Sequence, residues 1–119
     1  MKRSLVLTAV LSSSLTALAF WAAGMAKLQS TVKLENKRVK VTEVVYESGV
    51  PRERYIRPTD QLIVFLDDCR YERTDSKTHE KTVRERKAGE VIWHDKGEDA
   101  PVLVNLKPKP YRTLVVELK

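Results

Sequence analysis

The chain has 119 residues, a net charge of +6 and 42% hydrophobic residues, which suits one domain with its own apolar core and leaves too little chain for two. Basic and acidic residues are interleaved after Lys27, so the charge pattern argues against a nucleic-acid-binding protein. Cys69 is the only cysteine, which excludes an internal disulfide. We expect it to be buried as a small hydrophobe, the alternative being a bridge to another chain.

The first 26 residues have the three parts of an export signal. Lys2 and Arg3 supply positive charge, residues 5–21 are mostly apolar, and small residues cluster over 22–26. A cut after Ala26 would place small side chains at the two positions that a signal peptidase reads, and a cut after Gly24 is the alternative. We therefore expect a helical signal peptide that is cleaved, and a periplasmic or secreted protein.

An uncleaved membrane anchor is the other interpretation of this segment. About 20 apolar residues suffice to span a bilayer, and the uncharged run from Ser4 to Ala26 is long enough. Three serines and a threonine dilute its apolar core, which favours cleavage. We accordingly expect no permanent membrane span.

Periodicity predicts short strands throughout the remaining chain. Residues 39–45 alternate in the manner of a half-buried strand, and further β-type runs cover 61–66, 90–94, 102–106 and 113–118. Turn-forming residues separate these runs, with a hairpin tip predicted at 74–77. We divide the chain into a signal peptide (1–26), an N-terminal arm or first strand (27–38) and a β-barrel domain (39–119).

The run at 61–66 is apolar on both faces. One face should line the barrel interior, and the other should pack against a second sheet or a second subunit. The pattern as a whole predicts an all-β fold, an antiparallel sandwich or barrel, and makes a homodimer plausible.

Two spaced motifs resemble those of the cupin superfamily, especially its small single-domain bacterial members. In that family a glycine is followed by five residues, His-x-His, three or four residues and a glutamate; here Gly49 is followed by five residues, Tyr55-Ile56-Arg57, three residues and Gln61. Asp68 occupies the place of the closing glycine. The resemblance implies an antiparallel jelly-roll barrel of the cupin type.

The second cupin motif is also present in outline. Gly89 is followed by five residues and then Asp95-Lys96-Gly97, which matches the family's Gly-x5-Pro-x-Gly spacing. Ala100 stands where the family has its third histidine, and Asn105 lies one residue beyond the family's asparagine. The resemblance covers residues 39–118.

All four family metal ligands are replaced. Tyr55 is protonated at neutral pH, the guanidinium of Arg57 has no lone pair, and Ala100 offers no donor at all. We therefore predict no metal site and no cofactor. No nucleophile constellation is visible either, so no catalytic residue is assigned.

Arg57 is the most informative of these substitutions. If Tyr55 points into the barrel as the family histidine would, Arg57 does too, and a buried guanidinium needs an anionic partner. That partner is either internal, with Glu53, Asp60 and Asp99 as candidates, or the anionic group of a ligand. The predicted ligand-binding residues are Tyr55, Arg57, Gln61 and, as part of the wall, Trp93.

Three functions remain open at this stage. The preferred one is a non-catalytic module that binds a small anionic or polar ligand, or a partner protein. The second is a cupin enzyme, either a metal-free lyase or isomerase using Tyr55 and His94, or a dioxygenase with a noncanonical metal site. The third is a structural domain that dimerises through its sheet. Whether the chain is an enzyme is left undecided, with the non-enzymatic alternative preferred.

Overall fold

The computed structural model describes residues 27–119, which form eleven strands and no helix. The predicted signal peptide lies outside the described residues. Between Lys27 and Lys119 the chain has no helical segment capable of crossing a membrane. The all-β prediction is confirmed.

The strands are short and follow one another with few intervening residues. In chain order they are β1 (Gln29–Glu35), β2 (Val39–Tyr46), β3 (Pro51–Arg52), β4 (Tyr55–Ile56), β5 (Asp60–Phe65), β6 (Cys69–Thr74), β7 (Lys81–Arg86), β8 (Val91–His94), β9 (Asp99–Ala100), β10 (Val102–Asn105) and β11 (Tyr111–Leu118).

Two antiparallel sheets and one short ribbon make up the barrel. The larger sheet has the order β1-β2-β11-β5-β8, and the smaller sheet has the order β3-β10-β6-β7. Strands β4 and β9 pair with each other in the ribbon, with Tyr55 opposite Ala100. Apart from the consecutive pairs β1–β2 and β6–β7, neighbouring strands are distant in sequence, so the fold depends on long-range pairing such as that of β11 with β2 and β5.

The core lies where the two sheets face each other. Tyr46, Phe65 and Tyr111 from the larger sheet meet Cys69 and Tyr71 from the smaller sheet. The rings of Tyr46 and Tyr111 stack with centroids 4.6 Å apart, and Tyr71 stacks against Tyr111 across the sheets at 6.3 Å. Burial of these rings supplies much of the apolar stabilisation of so small a domain.

The buried position of Cys69 agrees with the sequence prediction. Its side chain is part of the core, and burial raises the pKa of the thiol to about 11. The thiol is therefore protonated at neutral pH and unreactive as a nucleophile.

The hairpin of β6 and β7 has its tip at the predicted place. The Asp75 carboxylate accepts hydrogen bonds from the backbone N–H groups of Lys77 (3.0 Å) and Thr78 (2.8 Å), which closes the turn. The whole 69–86 segment is highly charged, yet it contributes Cys69 and Tyr71 to the core from one face of β6.

Candidate ligand-binding cavity

A cavity of about 380 Å³ lies inside the barrel between the two sheets. Pockets that hold small molecules typically start at about 300 Å³, so the space is sufficient for a small organic ligand. The wall consists of apolar and aromatic side chains interrupted by a few charged ones. Lining residues that bear on its chemistry are Tyr46, Arg52, Tyr55, Arg57, Arg73, His94, Glu98, Tyr111 and Thr113.

Arg57 is held in place by backbone bonds to the turn between β8 and β9. Its N–H donates to the Glu98 carbonyl at 3.0 Å, and its carbonyl accepts from the Gly97 N–H at 2.9 Å. Gly97 has a φ of +89°, a conformation that a residue with a side chain rarely adopts. The motif glycine therefore serves to fix the backbone of Arg57.

The Arg57 side chain is buried, with only 4% of the residue exposed. Its Nη1 donates to Gln61 Oε1 at 2.8 Å and to Tyr55 Oη at 3.3 Å, and its Nε has no partner. Burial disfavours the charged form and lowers the pKa of the guanidinium from its usual value, but arginine remains protonated at neutral pH. The site thus contains a buried cation with a free donor.

No carboxylate within residues 27–119 forms an ion pair with Arg57. Asp99, one of the candidates named from the sequence, binds Arg54 and Ser76 instead. Asp60 accepts a bond from the Lys96 N–H at 2.8 Å. The internal salt bridge expected as one alternative is therefore not formed, and the neutral amide of Gln61 takes its place.

Two more arginines line the cavity. The guanidiniums of Arg52 and Arg57 lie 5.5 and 5.6 Å from the centre of the Tyr55 ring, within range of cation–π attraction. Arg52 donates to the Pro101 carbonyl, and its Nε is unpartnered. Arg73, on β6, has no ion pair with any residue from 27 to 119. The positive charge of this wall is therefore only partly compensated.

Two buried hydroxyl groups of β11 also lack partners. Tyr111 Oη and Thr113 Oγ1 are each inaccessible to solvent, and neither makes a hydrogen bond within the described chain. Burial raises the pKa of Tyr111 above its usual value, which keeps this phenol protonated. Both residues line the cavity, but the two hydroxyl oxygens are not accessible from it, so a ligand could reach them only after a shift of the side chains around them.

His94 and Glu98 form a pair at the cavity wall. His94 Nδ1 lies 3.0 Å from Glu98 Oε1, and the second carboxylate oxygen accepts from the Asp95 N–H at 2.8 Å. These bonds, the backbone one most of all, lower the pKa of Glu98 below its usual value. The carboxylate fixes the orientation of the imidazole ring.

Three of the four residues predicted to bind a ligand lie next to one another at the cavity. Tyr55 and Arg57 line the cavity, and Gln61, 2% exposed, lies behind Arg57 and holds it. Trp93 does not line the cavity, contrary to the prediction. Its neighbours Ile92 and His94 point inward, so strand alternation directs Trp93 outward, where it is 48% exposed.

Sequence reasoning missed Arg52, Arg73 and the unpartnered hydroxyls of β11. The alternation of β11 puts Tyr111 and Thr113 on the same face, which the sequence could have shown. The two arginines gave no such signal, because they reach the cavity from strands whose pairing is set by distant parts of the chain.

The residues at the four cupin ligand positions do not fit a metal ion. Arg57 directs a cation into the cavity, Tyr55 is bound to that cation, and Ala100 is a fully buried methyl group beside Tyr55. Within residues 27–119 no group of three or more His, Cys, Asp or Glu side chains is arranged to hold a metal. The donor set here suits an anion better than a divalent cation.

Similar structures support the fold. A cupin domain from Bordetella pertussis Tohama I matches with a TM-score of 0.69 and 18% identity over 77% of this chain and 93% of that one. The polyketide cyclase RemF from Streptomyces resistomycificus matches with a TM-score of 0.63 and 17% identity over 76% and 64%. The DMSP lyase DddQ from Ruegeria pomeroyi DSS-3 matches with a TM-score of 0.62 and 13% identity over 80% and 48%.

The chain therefore has the cupin fold, the double-stranded antiparallel β-helix expected from its motifs. No protein-family model and no curated protein sequence matches it. At these levels of identity the structural likeness extends to the fold alone, and the differing names of the similar structures leave the function to be argued from the cavity.

Proposed function

We propose that this protein is an exported, non-catalytic binding module that holds a small organic carboxylate inside its cupin barrel. The observation that carries the proposal is the guanidinium of Arg57, which is buried, faces the cavity and has no carboxylate partner in the described chain. The Glu98 carboxylate attracts Arg57 only from a distance, and a buried charge without a bonded counter-charge is unfavourable, so an anionic ligand would supply the missing contact.

The arrangement around Arg57 favours a carboxylate with an apolar body. The guanidinium fork can bind a planar carboxylate, and the unpartnered hydroxyls of Tyr111 and Thr113 would add hydrogen bonds if the side chains around them shift to admit a ligand. Phe65 and Tyr71 provide aromatic surface in the same cavity. Inorganic phosphate or sulfate could pair with the guanidinium of Arg57 but would leave this apolar wall in contact with water.

A thermal-shift and calorimetric titration with simple carboxylates tests the proposal. Benzoate, phenylacetate and hexanoate should raise the unfolding temperature, whereas acetate, sulfate and phosphate should do so much less. At ten times its dissociation constant a ligand stabilises the native state by about 1.4 kcal/mol. The protein should be recovered after export and its N-terminus determined by mass spectrometry, with Lys27 expected as the first residue.

Arginine variants decide whether the cavity is responsible. Arg57→Met should abolish the stabilisation by benzoate. Arg70→Met is the matched control, since Arg70 is a half-exposed arginine outside the cavity whose only ion pair in the described chain is with Glu85, at 3.7 Å. The proposal is wrong if none of the three apolar carboxylates stabilises the protein, or if Arg57→Met responds to them as the unmodified chain does.

The pair of His94 and Glu98 supports a second candidate, a metal-free enzyme that transfers protons. A carboxylate that orients an imidazole at a cavity wall is an arrangement suited to a general base. In such an enzyme Arg57 would hold the substrate carboxylate while the free His94 nitrogen removes a proton from a neighbouring carbon.

A model reaction separates the enzyme from the binding module. In the Kemp elimination of 5-nitrobenzisoxazole, a base removes the ring C–H proton, the N–O bond breaks, and a cyanophenolate is released. If the protein accelerates this elimination above its rate in buffer, and His94→Gln loses the acceleration, the enzyme is favoured. If the unmodified protein is no faster than His94→Gln, the binding module is favoured.

A further inference from the structure

The outward face of the larger sheet is unusually apolar. Alternation places the residues next to the cavity-lining ones on this face, and the register of the five strands aligns them in rows. One row contains one apolar residue from every strand of the sheet: Leu34, Val41, Val116, Leu62 and Trp93. A second row continues this surface with Leu114, Val64 and Val91. We refer to these eight residues as the outer face.

Several outer-face side chains are openly exposed. Leu34 and Val91 are each 53% exposed, and Trp93 is 48% exposed. The indole N–H of Trp93 already donates to Asp95 at 2.8 Å, so its ring can be covered without losing a hydrogen bond. A contiguous apolar surface of this kind on a small domain marks an interaction site.

The outward face of the smaller sheet provides a contrast. Val83 on β7 is similarly exposed, at 49%, but it stands opposite Glu72 and between Lys81 and Glu85 on the same face. An isolated exposed valine among polar residues needs no partner. Val102 and Val104 of β10 also face outward on this sheet but are only partly exposed, so the openly exposed apolar surface is concentrated on the larger sheet.

We infer that the outer face is the interface of a homodimer, in which two copies stack their larger sheets across a two-fold axis. Five strands about 4.8 Å apart and about six residues long at about 3.3 Å each cover about 480 Å² per copy. Two such faces bury about 1,000 Å², the lower limit for a specific interface, so a weak and concentration-dependent dimer is expected.

The charges on this surface are compatible with a second copy of the same chain. Glu43, the main charge in the second row, is paired within its own subunit with Lys33 at 3.2 Å and with Arg112 at 3.9 Å. Two-fold symmetry would bring identical faces together without burying an unpaired charge. The outer face has no excess of positive or negative charge that a charged partner could recognise.

Sedimentation equilibrium over a concentration series tests the dimer. The exported protein should change from monomer to dimer between about 1 μM and 1 mM, the range of weak complexes. Val91→Lys should raise the dissociation constant at least tenfold, since two lysines would be buried for each dimer. If the chain is cleaved after Ala26, Trp93 is the only tryptophan, and its fluorescence should shift to shorter wavelength as the dimer forms.

Val83→Lys is the matched control and should leave the dissociation constant unchanged. If Val91→Lys fails to fold, as judged by circular dichroism, Leu34→Lys at the opposite edge of the outer face takes its place. A monomer at all concentrations would overturn the inference. So would a dimer that Val91→Lys or Leu34→Lys leaves intact, or one that Val83→Lys disrupts equally.

Discussion

Two buried polar residues show how differently a polar group can be accommodated in this barrel. Asn105 is 2% exposed, and its side chain is fully used: Nδ2 donates to the carbonyls of Tyr46 and Lys109, and Oδ1 accepts from the Lys107 N–H. Arg57 is equally buried but keeps a free Nε–H. Asn105 therefore serves the structure, whereas Arg57 leaves part of its hydrogen-bonding capacity unused.

Replacing Asn105 should be costly to stability. Asn105→Ala would remove the side-chain partner of the Tyr46 carbonyl and of the Lys109 carbonyl and Lys107 N–H in the 107–110 loop, and we expect a loss of about 2–4 kcal/mol in the free energy of unfolding. Urea denaturation measures this loss, with Asn36→Ala as the control because Asn36 makes its bonds in an exposed turn. A loss below about 1 kcal/mol would contradict the structural role assigned to Asn105.

Replacing Arg57 should have the opposite effect on the free protein. Arg57→Met removes a buried cation whose nearest attracting carboxylate, that of Glu98, forms no ion pair with it, so the free energy of unfolding should stay unchanged or rise by up to about 2 kcal/mol. The same variant should no longer bind benzoate. A loss of more than about 1 kcal/mol without ligand would mean that the bonds to Gln61 and Tyr55 matter mainly for folding.

At the scale of elements, the turn after β5 is tied to β11 by one carboxylate. Asp67 accepts a backbone bond and two side-chain bonds from Arg112, at 2.9 to 3.1 Å. These bonds, the side-chain ones most of all, lower the pKa of Asp67 below its ordinary value of 3.8. The link helps to hold β5 and β11 in register at the end of the barrel near Phe65.

This link predicts a specific dependence on pH. A carboxylate with a lowered pKa in the folded state stabilises the protein above its unfolded value and loses that contribution as the pH falls through the folded pKa. The free energy of unfolding should therefore decrease below pH 3.8, and Asp67→Asn should make this decrease shallower. Asp68→Asn, which leaves the Arg112 bonds intact, is the control; an equal effect of both variants would contradict the assignment.

At the scale of the whole molecule, the barrel places two different surfaces on the two sides of one sheet. The inward face of the larger sheet carries Tyr111, Thr113 and His94 at the cavity, and its outward face is apolar. The proposed ligand site and the proposed dimer interface therefore lie on opposite sides of this sheet. The two proposals can fail independently, because Arg57 lies at the cavity and Val91 on the outward face.

Metal content is the property of the whole molecule that the donor set predicts. Elemental mass spectrometry of the purified protein should find much less than one Fe, Mn, Ni, Cu or Zn per chain, because an arginine and an alanine stand at two of the four cupin ligand positions. About one metal per chain would show that the ligands lie elsewhere and would favour the enzyme. A folded β-sheet spectrum by circular dichroism is the necessary control.

The sequence by itself determined β2, β5, β8, β10 and β11, the hairpin tip and the replacement of the metal ligands, but not the two-residue strands β3, β4 and β9. Alternation and β-branched runs set the longer strands because a strand has a period of two, and Gly49 and Gly97 stand at turns where the structure has positive φ values. The cupin spacing correctly brought Tyr55, Arg57 and Gln61 together, since the motif encodes local geometry.

Only the tertiary structure decided what surrounds Arg57. Its neighbours in the cavity come from strands far apart in sequence, such as Tyr111 on β11 and Arg52 on β3, and their convergence depends on register between those strands. The same dependence explains why Trp93 was assigned to the wrong side of the wall. A sequence lists the polar groups of a barrel, but long-range strand pairing determines which of them remain without a partner and are left to bind a ligand.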